Sequence, residues 1–141
     1  MSARTTRVFV YGTLLSGEPN HGLLSAARCA GEARTLEAFA MFDLGGFPCI
    51  VRGAGEPVLG EVYEVDGATL ARLDALEDAP RWYRRETVRL DDGSSADAYL
   101  YAQDVGAAPR VRGGDWRRRG GVTRPGGSLV ESSNPQAKDW T

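Results

Sequence analysis

Several residue types are scarce in this 141-residue chain. Histidine occurs once, as His21, lysine once, as Lys138, and cysteine twice. Cys29 and Cys49 form no Cys-x-x-Cys pair and neither stands near His21, so no metal-ligand set or disulfide framework is expected. A lone histidine with no nucleophile beside it reads as structural rather than catalytic. No apolar run reaches the length of a membrane span, and the first residues lack the hydrophobic segment of a secretory signal. A soluble, cytoplasmic chain without a membrane partner is therefore expected. Excess positive charge is also missing. The net charge of −2 and the pI near 5.4 argue against a dedicated nucleic-acid binder.

The length suits one domain, and a hydrophobic content of 42% is enough to build a core. Charge is unevenly spread. Residues 110–141 hold seven basic against three acidic side chains, and sixteen of the seventeen basic residues are arginine. Beyond Pro109 the composition changes to Gly113-Gly114-Asp115-Trp116, Arg117-Arg118-Arg119 and Pro125-Gly126-Gly127. This reads as one domain over 1–109, extending to about 116, followed by a loosely ordered tail over 117–141. No internal repeat is visible.

Along the chain, Arg7–Tyr11 reads as a strand and Asn20 as the cap of a short helix carrying Leu23, Leu24 and Ala27, ending before Gly31. Residues 33–44 are extended and mixed. Gly45-Gly46 makes a turn into a strand at Phe47–Val51, and Leu59–Val65 alternates as a strand with a partly polar face. Asp66 caps a helix over Gly67–Glu77. Two strands, Tyr83–Leu90 and Ala96–Tyr101, are joined by Asp91-Asp92-Gly93 as a hairpin. About six strands and two short helices, with glycine spent at strand ends, predict an α+β fold: a small mixed β-barrel with flanking helices.

Two stretches carry candidate chemistry. Val8-Phe9-Val10-Tyr11-Gly12-Thr13-Leu14 is a strand buried on both faces that stops at a glycine. The turn is either an ordinary strand end or a loop whose backbone N–H groups hold a carboxylate or a developing oxyanion. In the helix that follows Asp66, a turn of about 100° per residue places Glu77 within roughly 40° of the apolar direction, with Asp74 and Asp78 roughly 100° and 140° away, toward solvent. An inward carboxylate at a helix C-terminus has its pKa raised, which suits proton transfer. Alternatively, Glu77 pairs with Arg81, Arg84 or Arg85, and its pKa is then held down. Tyr83, Tyr99 and Tyr101 read first as core tyrosines and second as substrate contacts.

These residues resemble the gamma-glutamylcyclotransferase-like (AIG2-like) proteins, with the nearest likeness to the branch acting on gamma-glutamylamines and to the butirosin-pathway cyclotransferase. The resemblance rests on Tyr11-Gly12-Thr13-Leu14 followed by Gly17 and Pro19-Asn20-His21, and on Gly60–Val65. It continues with Leu73-Asp74-Ala75-Leu76-Glu77, Pro80, Tyr83, Arg85 and Val88, then Tyr99-Leu100-Tyr101 and Gly114-Asp115-Trp116. It implies a reaction without metal or cofactor, in which the alpha-amino group of a gamma-glutamyl substrate attacks its own side-chain carbonyl. The products are 5-oxoproline and a free amine. It also implies that Glu77 is the catalytic acid/base and that Tyr11, Gly12, Thr13 and Leu14 form the substrate loop. Tyr83 and Tyr101, from the residues themselves, are added as candidate substrate contacts. Two other readings stand beside it: a non-catalytic module binding a small acid or a protein, and an interaction protein working through its basic tail.

Overall fold

A computed structural model of the chain describes residues 5–53, 55–79 and 81–118. The short strand β1 (Thr6–Val10) lies at the centre of a five-stranded mixed sheet. Its neighbours are β5 (Leu59–Val65), antiparallel, and β7 (Ser95–Tyr101), parallel with Val8 opposite Asp97. The edges are β2 (Arg28–Arg34), paired with β5, and β6 (Tyr83–Arg89), paired with β7. A second sheet has the order β4-β3-β8, built from β3 (Phe39–Asp43), β4 (Pro48–Arg52) and β8 (Arg110–Val111).

Strand β1 is apolar because both its faces are covered. Phe9 enters a core with Met41, Ile50, Val62, Leu100 and Trp116, whereas Val8 and Val10 face a second core with Tyr63, Leu73 and Tyr99. The helix α1 (Gly67–Leu76) closes that second core with Leu73, which is fully buried. Asp66 starts the helix, its side chain accepting from the Thr69 N–H at 2.8 Å. In the turn between β3 and β4, Asp43 Oδ1 accepts from the N–H groups of Gly45 and Gly46, at 2.8 and 2.9 Å. Both glycines have positive φ.

The α+β class stands, but three expectations are corrected. Among the described residues, eight strands form two sheets that do not close into a barrel. The capped helix after Asn20 is a single 3₁₀ turn, His21–Leu24, with no side-chain cap; the Asn20 side-chain amide donates to Thr13 Oγ1. Chain expected to be the end of that helix is already strand β2 at Arg28. This edge strand is mostly exposed and carries arginine and glutamate, so it lacks the alternation that marks a half-buried strand.

The segment after Pro109 adds β8 to the second sheet and places Trp116 in the core, fully buried. The tail expected over 117–141 lies outside the described residues from 119 onward. Among the described residues, no helix is long and apolar enough to cross a membrane.

Candidate active site

The parallel pairing of β1 with β7 sets the C-terminal end of β1 beside Tyr99, and α1 ends over the same point. Phe9, Val10, Tyr11, Gly12, Thr13, Leu14, Pro48, Glu77 and Tyr99 line a cleft there, of ≈ 310 Å³ including its open mouth.

One wall is the loop that leaves β1. The Leu15 N–H closes it by donating to Gly12 O at 3.0 Å. Asn20 holds Thr13 twice, N–H to Thr13 O at 2.8 Å and side-chain amide to Thr13 Oγ1 at 3.0 Å. His21 Nδ1 sits 2.9 Å from Leu14 O, which requires the proton on that nitrogen, and its ring packs edge-on against Tyr63. The single histidine is thus a loop support. Gly12 is not required for its backbone angles, since it is not among the glycines of positive φ. A Cβ there would collide with the Pro48 ring. What the glycine provides is close approach of the loop to β4.

Glu77 occupies the end of α1 and is 5% exposed. The helix stops around it in a Schellman arrangement: Asp78 N–H donates to Ala75 O at 3.1 Å, and Ala79 N–H to Asp74 O at 3.0 Å. Asp78 takes the left-handed conformation (φ 54°) that this closure needs. The arginines considered as partners for Glu77 are engaged elsewhere: Arg81 with Asp78, Arg84 with Glu86, and Arg85 with Asp74 and Asp97. Among the described residues, the Glu77 side chain has no ion pair or hydrogen bond. Burial, and then the charge of Asp74, raise its pKa well above the usual carboxyl range.

Asp74 does not face solvent as the helical wheel suggested. It lies over β7, accepting the Tyr99 hydroxyl at 2.6 Å and Arg85 Nε at 3.0 Å. The wheel took the apolar direction as the only buried one, whereas this end of α1 meets polar side chains on the sheet.

Of the other predicted site residues, Tyr11 lines the cleft and its buried hydroxyl donates to Tyr99 O at 2.7 Å. Burial, the charge of Glu77 and that of Cys49 push its pKa up. Tyr83 and Tyr101 are not among the cleft-lining residues. Tyr83 donates to Pro48 O at 3.0 Å, and Tyr101 packs against the rings of Tyr83 and Trp82. Tyr99 lines the cleft instead. Tyr99 and Tyr101 do share one face of β7, but the cleft reaches only the first. The buried Cys49 thiol is pushed up to about 12, mainly by burial. Among the described residues, no three His, Cys, Asp or Glu side chains gather as metal ligands would.

Comparison with known proteins then fixes the family. The model of the "Gamma-glutamyl cyclotransferase, AIG2-like" family matches residues 8–118, which include every residue of this cleft. The chain belongs to that family. A Vibrio cholerae relative is 44% identical over 112 residues, covering 79% of this chain and 96% of its own. The gamma-glutamylcyclotransferase family protein YtfP of Escherichia coli K12 is 36% identical over 113 residues, 80% of this chain and 97% of its own. Among solved structures of similar fold is that of a mouse AIG2-like protein, 31% identical with a TM-score of 0.61, covering 74% of this chain and 80% of that one.

Proposed function

We propose that this chain is a gamma-glutamylcyclotransferase that converts a gamma-glutamyl amide to 5-oxoproline and free amine, with Glu77 as its acid/base. The observation that carries this reading is the Glu77 carboxyl itself: buried, facing the cleft, raised in pKa and unpaired with any arginine of the described residues. A structural glutamate at such a position would be expected to hold a cation.

The alpha-ammonium of the substrate must lose a proton before its nitrogen can attack the gamma-carbonyl carbon. Ionised Glu77 takes that proton. The new C–N bond closes a five-membered ring, the carbonyl oxygen becomes an oxyanion, and the ring nitrogen is left with two protons and a positive charge. As the oxyanion collapses, protonated Glu77 gives its proton to the leaving nitrogen and that C–N bond breaks. The carboxylate so regenerated takes the second proton from the ring nitrogen, leaving the lactam N–H of 5-oxoproline, and passes it to the departing amine. One carboxyl with a raised pKa serves each transfer. Backbone N–H groups of Gly12, Thr13 and Leu14 at the cleft wall are suited to the glutamyl alpha-carboxylate or to the oxyanion. The attack is intramolecular, so a cleft walled by Tyr11, Pro48 and Tyr99 contributes by holding the substrate folded.

The test is 5-oxoproline release, measured by mass spectrometry, from gamma-glutamyl amines, gamma-glutamyl dipeptides and glutathione, with wild type and Glu77→Gln compared. Release by wild type that is lost in the folded variant supports the reading. Equal release by both, or none from any of these compounds, overturns it.

A further inference from the structure

Glu61 is an unusual occupant of its strand. It lies on β5, paired on both sides by β1 and β2, and is 9% exposed. A carboxylate in a sheet interior costs desolvation that an apolar side chain would avoid. Its four donors show where it is directed. Ser16 supplies its N–H at 2.9 Å and its hydroxyl at 2.8 Å, Tyr63 its hydroxyl at 2.9 Å, and Arg117 Nη2 an N–H at 3.0 Å. Burial alone would raise the Glu61 carboxyl, but these donors together bring it below its usual range.

Arg117 completes the arrangement. The same Nη2 donates to Ser16 O at 2.6 Å and Ser16 Oγ at 2.9 Å. Ser16 is a surface residue, yet its N–H, its carbonyl and its hydroxyl are all engaged by two charged side chains. It immediately follows Leu15, whose N–H closes the Gly12 turn, so a shift at Ser16 is transmitted to the cleft wall.

The segment bringing Arg117 to this point is itself anchored. Gly114 O accepts the Leu59 N–H at 2.8 Å, a Cβ at Gly114 would collide with Pro57 O, and Trp116 is buried in the core. We propose that Arg117 is a positioning residue for the substrate loop, fixing its outgoing end through Glu61 and Ser16. The proposal rests on the cyclotransferase reading for its catalytic consequence, though not for the ordering of the loop.

The experiment pairs amide hydrogen exchange over residues 12–16 with steady-state kinetics on the best gamma-glutamyl substrate. In Arg117→Gln, loss of charge-assisted bonds should speed exchange of the Ser16 amide by about tenfold and raise KM by about tenfold, with kcat within about threefold of wild type. Amides of the β3–β4 ladder should exchange as in wild type, and Glu77→Gln should leave the loop amides unchanged. Ser16→Ala, which removes only the hydroxyl, should show a smaller effect of the same kind. Should Arg117→Gln not fold, Arg117→Lys carries the same comparison with partial rescue expected. Loop exchange and KM at wild-type values would overturn the proposal, as would equal acceleration at every amide, the mark of a merely structural role. Absence of turnover in wild type would sink the cyclotransferase reading, while Ser16 exchange would still decide whether Arg117 orders the loop.

Discussion

Asp74 and Glu77 lie one turn apart on α1, and both are turned toward the sheet. Asp74 binds Tyr99 and Arg85, while Glu77 faces the cleft without a cation. The charge of Asp74 is, after burial, the second cause that raises the Glu77 pKa. Asp74 is thereby placed to hold the Tyr99 wall and to raise Glu77 together.

Asp74→Asn removes that negative charge while leaving Arg85 its second partner, Asp97. The Glu77 pKa should fall, because the charge of Asp74 is one of the two causes raising it. If Glu77 must be ionised to begin the reaction, the acid limb of the pH–rate profile should move to lower pH. An acid limb that stays in place in the variant would contradict this account.

Glu77→Gln should lower 5-oxoproline release by about a hundredfold or more while the fold persists. Its effect on stability has a defined sign. The folded protein holds the Glu77 proton more tightly than the unfolded chain, so wild type loses stability as pH rises above about 4.5, until Glu77 is ionised in the folded state too. Glutamine has no such proton. The melting temperature of the variant relative to wild type should therefore climb with pH across that window and then level off. Melting curves at a series of pH values check it.

Gly12→Ala should do more damage than its size suggests, since the added methyl meets the Pro48 ring. Overpacking of this kind costs about 1–3 kcal/mol. The loop can yield only by moving away from β4, so turnover should fall further than stability does. Denaturant melts and kinetics on the same preparation would separate the two losses.

Asp78, at φ 54°, tests the closure of α1. A β-branched residue there faces a steric cost of about 1–2 kcal/mol in the left-handed region, whereas glycine faces none. Asp78→Val should therefore be destabilised in a urea melt and Asp78→Gly should be close to wild type, even though both lose the exposed pair with Arg81.

Much of this could be read from the chain before the structure was known, and what could not has physical causes. Asp66 and the spacing of Leu70, Leu73 and Leu76 define α1 locally, so the inward position of Glu77 followed from helix geometry alone. The Asp91-Asp92-Gly93 hairpin was legible for the same reason. Asp74 was misplaced because its partners, Tyr99 and Arg85, stand on strands whose position over the helix no local pattern encodes. The reason for Gly12 depends on Pro48, distant in sequence. Strand β2 escaped notice because an exposed edge strand has no face to bury. Tyr99 and Tyr101 differ only in how far along β7 the cleft extends.

The position of β1 has a further consequence, for the order in which the protein can be built. The central strand β1 is synthesised before both of its neighbours, β5 and β7, which come much later in the chain. Until they arrive, Val8, Phe9 and Val10 form an apolar segment with both edges unpaired, which is the kind of segment that aggregates. Pairings so distant in sequence also slow folding. The cleft is complete only once β7 has paired with β1 and brought Tyr99 beside a loop made about 85 residues before it.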